Sequence, residues 1–475
     1  MSALSRFLHR RRDESGFAMV VAVIVAMVSI VLVTTILAIG VHLDTQTVRE
    51  RRWQLALQVA ESGVERAIVA LDEQAKAGLP LTFGGEGPIT VPGGQFETHV
   101  TIPADLASVR VDAIGWTPSA TATNRIQRRL RVVYSPEPEF RYALFSQTSL
   151  YVKSSGGIEG DVFGNEAVTL YNNTVVTGTV ISGTGKVHLE QNAEVHENTA
   201  TGRGGDVYSG GFDTAASPPW AVKLDNNAVV EGDVHTQVET VCSGPANYNV
   251  DNSGDLLGQV FTPGSVFGAG PAGGTVSACE PRRGKEDLPS FTFDPANYPS
   301  LVTMTVAQFN DPAYTDLAGQ VWVTSAASDD SAAAIELACK QVKGDFFLYT
   351  TARINKANTC GSVDFYDPAG PSSAVIYLIS ENTSVNPSKP AVEVENSLEL
   401  PAAPAPSPAL LLYSRGFCDL KNTVVTSGAV YCNGLNIKNT LDIRYDPRVE
   451  RVLGFGGVRF VRQSFVELAA STPLV

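Results

Sequence analysis

Residues 17 to 41 carry no charge and are filled largely by Val, Ile, Leu, Ala and Met. As a helix rising ~1.5 Å per residue they cover roughly 37 Å, enough to cross a bilayer with some tilt. A cleavable secretory peptide has an apolar region of about 7 to 15 residues and then a small-residue cleavage motif, and neither matches this stretch. The pattern then changes period without a break. Trp53, Leu57, Ala60, Val64, Ala67 and Leu71 recur at helical intervals, while Arg51, Arg52, Glu61, Glu65 and Arg66 mostly fall off that stripe. No proline interrupts residues 17 to 79, and Gly78 with Pro80 reads as the stop. The expectation is one rod of about 55 residues, on the order of 80 Å, half in lipid and half amphipathic. The amphipathic half needs something to lie against.

Alternation replaces the helical period in "QFETHVTI", "SVRVDAIGW" and "RIQRRLRVVY". Val109, Val111 and Ala113 share one face, Leu130 and Val132 share another, and residues 79–136 are expected to form a small sheet packed on the stripe. Arg125, Arg128, Arg129 and Arg131 read as a solvated strand face. Past Pro136 and Pro138 a repeat begins: "VTLYNNTVVTGTV" (168–180), "VHLEQNAEVHENT" (187–199), "VKLDNNAVVEGDV" (222–234) and, far downstream, "CDLKNTVVTSGAV" (418–430), with "LYVKSSGGIEGDV" (150–162) a degenerate relative. A period near twenty residues marks a β-solenoid. One coil cannot bury its own valines, so coils must stack, and Asn or Gly at the corners adopts backbone angles that β-branched residues resist.

The expected fold class is therefore α+β: a long N-terminal helix, a small β module and a large all-β body. The body is expected as a right-handed β-solenoid over 137–455, with an insertion at about 236–395 and a C-terminal tail at 456–475; a β-sandwich is the alternative. The separation of the 418–430 copy from the others places it beside the early coils or as their cap. "PAAPAPSPA" (401–409) reads as a stiff extended connector.

Charge and cysteines sharpen this picture. The formal net charge is −14, which argues against binding a phosphate backbone, so no nucleic acid partner is expected. Arg6, Arg10, Arg11 and Arg12 precede the apolar span and Arg49, Arg51 and Arg52 follow it, so the positive-inside count favours a cytoplasmic amino terminus only slightly. The six cysteines form no CxxC pair, which favours disulfides in an oxidising compartment over a zinc site. Nearest-neighbour pairing, Cys242 with Cys279, Cys339 with Cys360 and Cys418 with Cys432, is one of fifteen connectivities.

The basic leader ending in Glu14-Ser15-Gly16, then Phe17, the long apolar helix, and "ALQVAESGVERAI" (56–68) together resemble the amino terminus of type IV pilins, closest to the minor pilins called PilX-like. "LDIRYDPRVERVLG" (441–454) is similar to a phrase that closes the body in PilX-like proteins. The resemblance covers about residues 10 to 72. It implies that a prepilin peptidase cuts after Gly16 on the cytoplasmic face, that Phe17 is then methylated, and that the helix is kept as an assembly element. It also implies a sheet packed on the helix as a roll, with other pilins, the assembly machinery and the cytoplasmic membrane as partners. One position departs: major pilins carry glutamate at the fifth residue after the cut, and this chain has Val21. Without that carboxylate a repeating major-subunit role is in doubt, and the chain resembles pilin-like proteins of a filament tip or initiating complex.

No catalytic constellation stands out. Asp161, Asp206, Glu231 and Asp233 lie in the repeats without a basic partner on one face, so the expectation is a non-enzyme with no cofactor and no metal. "DNSGD" (251–255) and "SDDS" (328–331) lack the ligand ladder of a calcium loop, and His188, His196 and His235 read as surface or corner residues. The function expected is a pilus component displaying its body for adhesion, priming or contact with a surface or glycan. A single-pass anchored surface protein, or a polysaccharide-active β-helix enzyme, is the alternative.

Overall fold

The computed structural model describes residues 4–76, 82–102, 108–137, 140–199, 203–236, 247–277, 284–289, 291, 293–357, 364–400, 407–450 and 459–469. They fall into two compact units, one of residues 1–75, 79–136 and 460–475 and one of residues 76–78 and 137–459.

In the first unit the helix runs unbroken from Leu4 to Lys76. Its apolar half, from Met19 onward, leaves its large side chains exposed, whereas Ala56, Val59, Ala60, Val64, Ala67 and Leu71 are buried. The buried stripe lies on a sheet whose order is Ile89–Val91, Gly94–Thr101, Val109–Thr117, Ile126–Glu137, Arg459–Leu468. The first four strands pair antiparallel, and the register sets Val111 opposite Val132 and Ala113 opposite Leu130. The two expected faces are thus one core face, closed over Ala60, Val64, Ala67 and Leu71. Small residues allow the close approach: a Cβ on Gly115 would sit 2.2 Å from the Ala56 carbonyl oxygen and 2.6 Å from the Ala60 nitrogen. The Ala-rich patch of the helix is therefore explained by its own sheet. Residues 459–468, expected within a tail, supply the fifth strand.

The second unit is a β-solenoid with three strands per coil, stacked in parallel. Val162–Gly164, Ala167–Tyr171 and Thr174–Thr177 make one coil; Val180–Ser182, Lys186–Leu189 and Glu194–Asn198 stack on it strand for strand. The parallel ladders exclude the β-sandwich, whose sheets are antiparallel. Apolar residues at matched register fill one continuous interior, from Leu317 and Ile354 through Leu412, Leu435, Leu150 and Val187 to Val260. Asn172, Gln191 and Asn227 occupy the corner after the second strand of their coils, and Asn439 stands within Val424–Arg444, all with positive φ (45° to 71°), the backbone that Asn-rich repeats need.

The order of coils is not the order of the chain. The chain enters at Leu144–Ser146 and Ser149–Glu159, winds outward to Thr275–Val276, then resumes at Leu301–Thr305 at the far end and winds back. Val424–Arg444 closes the circuit by pairing on one side with Ala409–Leu420 and on the other with Leu144–Ser146 and Ser149–Glu159. The downstream repeat copy thus packs beside the early coils. The span expected as an insertion, 236–395, contains further coils whose corners are lengthened, which hides their period. Residues of the return segment cross one outer face: Asn165 and Glu286 exchange hydrogen bonds of 2.6 and 2.8 Å, the Tyr413 hydroxyl donates to the Pro289 carbonyl, and Phe293 and Tyr298 stack on Tyr349 and Phe347. Burying this outer aromatic row joins the two halves of the stack from outside.

Cys418 and Cys432 are bridged inside the core of adjacent coils. Cys339 is also disulfide-bonded. Cys242, Cys279 and Cys360, like residues 401–406 of the expected connector and the Gly78–Pro80 stop, lie outside the described residues.

Candidate functional site

The helix holds most of the residues singled out by the sequence. Gly16 and Phe17 lie within its helical backbone, and the Phe17 side chain is outside the described residues. Val21 is 42% exposed, one of a run of open apolar side chains that continues through Leu43 and includes Ile30 and Ile36. This run has mean hydropathy 3.0 over its most apolar window, none of it buried by the chain itself. Leu57 packs at the edge of the core that Ala60, Val64 and Leu71 build. Trp53 marks the change between the two environments. Its ring is flanked by the Arg49 guanidinium at 5.4 Å from the ring centre and by the Arg128 guanidinium at 4.7 Å. Arg128 reaches it from the strand Ile126–Glu137 and also contacts Glu467 at 2.8 Å.

The basic strand face is thus not uniformly solvated. Arg131 makes a two-pronged pair with Asp112, at 2.7 and 3.0 Å, and that carboxylate is 1% exposed. Arg110 lies 3.6 Å from the same carboxylate.

On the body, carboxylates and histidines clip one coil to the next. The Asp161 carboxylate accepts from the Thr179 amide, Asp206 from Asp233, and Asp233 from Gln259, each one coil on. This ladder has a visible signature, "EGDV", "GGDV" and "EGDV" at 159–162, 204–207 and 231–234. The signature is legible without the structure, but its role as a ladder between coils is not, because each Asp bonds to a residue 18 to 27 positions on. His196 lies between Glu194 at 2.7 Å and Glu231 at 2.9 Å; partial burial lowers its pKa, but the two carboxylates outweigh that and hold it above the ordinary histidine value. Glu231 is held below the usual carboxylate range by the His196 bond, helped by the Glu197 amide.

His188 repeats the arrangement with Glu190 at 3.1 Å and Asp225 at 2.9 Å. Burial raises the Asp225 pKa, but Lys223 and His188 prevail and keep it low. His188, Glu190 and Asp225 are the one group among the described residues placed to hold a metal ion. Its geometry favours a different role. The two carboxylates address opposite ring nitrogens, and Lys223 sits 3.1 Å from Asp225, so the imidazole and an ammonium already occupy the positions a cation would take.

The calcium-like stretches behave as turns. Asp329 accepts from the amide and hydroxyl of Ser331, and Asn252 caps the Gly254 amide.

No family model matches the chain, and no curated protein does. Among solved structures, the competence-associated pilin ComZ from Thermus thermophilus matches at 12% identity, covering 87% of this chain and 97% of that chain, with a TM-score of 0.23. A score of that size defines neither a shared fold nor a shared function.

Proposed function

We propose that the chain is a pilin-like subunit, of the minor, PilX-like kind, held in the cytoplasmic membrane until its helix is built into a filament. The observation that carries this reading is one continuous helix in two environments. From Ala56 its stripe is consumed by its own sheet, while from Met19 to Leu43 its apolar side chains have no partner within the chain. A span of that length and hydropathy partitions into lipid, and exchange of lipid for the helices of neighbouring subunits then requires no refolding.

In this reading prepilin peptidase removes residues 1–16, and Phe17 becomes the methylated amino terminus. The body lies on the extracytoplasmic side, where the Cys418–Cys432 bridge persists, and reaches the pilus or cell surface after assembly. Its role is structural and binding rather than catalytic: adhesion, priming or contact with a surface or glycan. Val21 in place of a charge-pairing carboxylate suits a subunit of low copy number.

Mass spectrometry of the mature amino terminus tests this directly. The expected species begins at methylated Phe17, and replacing Gly16 with leucine leaves the uncut mass. A wild-type chain that keeps residues 1–16 would overturn the pilin reading and leave a single-pass anchored protein with a helical stalk.

A further inference from the structure

The apolar span ends in a cationic collar. Asp44 is the first charge after it, and Arg49, Arg51 and Arg52 follow, all exposed. Trp53 is held between the Arg49 and Arg128 guanidiniums, and Arg125 is exposed in the turn that precedes the Arg128 strand. Gln46, Arg49, Glu50, Arg51 and Trp53 line one surface depression on this part of the helix. Arginines outnumber the carboxylates here, which are Asp44, Glu50 and Glu467, in a chain whose net charge is −14.

Position matters as much as sign. Arg49 follows Leu43 by six residues, about 9 Å along the axis, and helical side chains lean toward the amino terminus, here back toward the span. The headgroup layer on each side of the ~30 Å hydrocarbon core is roughly 5–7 Å deep. Long arginine side chains leaning back over that distance enter this layer, and an indole at the same level is the usual interfacial anchor.

We propose that this collar binds the phosphates of anionic phospholipid headgroups, seating the small module on the membrane while the chain awaits assembly. The proposal rests on the membrane-span reading above. The occupant follows from continuity with the span and from charge complementarity: a guanidinium pair around an indole, beside further exposed guanidiniums, suits a sheet of phosphodiesters. Paired with Glu467, Arg128 acts chiefly by fixing Trp53, whereas Arg49, Arg51 and Arg52 supply the free charge.

The test uses the full chain reconstituted into vesicles of phosphatidylcholine alone or with phosphatidylglycerol, and native mass spectrometry of the extracted protein to count retained lipids. Expected is retention of phosphatidylglycerol over phosphatidylcholine, unaffected by millimolar inorganic phosphate, and reduced about fivefold for each arginine removed in R49Q, R51Q and R52Q combined. Glu50→Gln is expected to strengthen the preference. Insertion into both vesicle types with no preference between lipids, or a preference unchanged in both variants, overturns the collar and leaves the span intact. Phosphate displacing the lipid overturns the assignment to headgroups. Failure to insert into either vesicle overturns the span and the collar together.

Discussion

The helix from Met19 to Leu43 and the coil from Val180 to Asn198 are both rich in Val, Ile and Leu, yet they dispose of them in opposite ways. Val187 and Val195 are fully buried between matched neighbours above and below, Val168 and Val222 for the first, Val176 and Val230 for the second. Along the helix Met19 is 72% exposed and Ile36 67%. Period decides the difference. Residues two apart on a strand share a face, and the next coil presents a copy of the same face, so a repeat supplies its own interior. An apolar helix whose few polar side chains, such as Thr34 and Thr35, bond back to its own carbonyls has no core-facing stripe to hide, and its surroundings must do the work.

The contrast is broken most sharply by placing one aspartate in each region. Val187→Asp leaves an unpaired carboxylate in a packed interior, which costs on the order of 4 kcal/mol or more. Val28→Asp adds about 3 kcal/mol to membrane insertion and leaves the body untouched. In thermal unfolding of the full chain in detergent micelles, the first variant is expected to lower the body's transition by many degrees and the second to leave it unchanged. An equal loss in both would mean that the body depends on the helix for its stability.

A smaller effect sharpens how the body is closed. Cys418 and Cys432 lie 14 residues apart in coils that border the seam with the first coil, where Leu435 meets Leu150 and Ile437 meets Val152. Closing a loop of that length stabilises by roughly 3 kcal/mol in the chain-entropy account. The double variant C418A and C432A is expected to lose about that amount in denaturant unfolding, and reductant, which also reaches the bridge of Cys339, is expected to destabilise the wild type by at least as much. A difference below ~1 kcal/mol would assign closure of the stack to its apolar interior and to the return segment across its outer face.

The same contrast explains what the sequence made legible. The span and stripe were readable because their period is local, and the coils at 150–199 because their corners are short enough to keep the repeat near twenty residues. The coils at 301–420 carry inward residues of the same kind, Val321, Leu348, Leu378 and Leu412, but long corners such as Ser325–Ala333 and Glu381–Ala391 destroy the period. The wide separation of the 418–430 copy pointed to a place beside the early coils or over them as a cap, and the pairing of Val430 with Leu144 decides for the first and puts the entry of the chain at the middle of the stack. The singled-out residues divide likewise. Ala60, Val64 and Leu71 pack in the core between the helix and its own sheet, while of the two cations on Trp53 only Arg49 is local; Arg128 comes from a strand about 75 residues away, as no local pattern could announce.

The finest effect concerns pH and the clip at His196. Both ring nitrogens face carboxylates, Glu194 on its own strand and Glu231 one coil on, and ionised carboxylates cannot donate, so the pair of contacts favours the imidazolium over the neutral ring. A folded-state pKa above the unfolded one gives stability that is fully present below the unfolded value, about 6.5, and is lost as pH rises through the folded value. Glu231 works in the opposite sense, since its lowered pKa gives stability that is lost only in stronger acid. The clip therefore contributes most in mildly acidic conditions, between the two titrations. His196→Gln is expected to lower the body's thermal midpoint by about a degree or two at pH 6 and by less at pH 8.5, flattening the profile over that range. A variant whose midpoint falls equally at both pH values would show that the ring acts by packing and hydrogen bonding alone, without its charge.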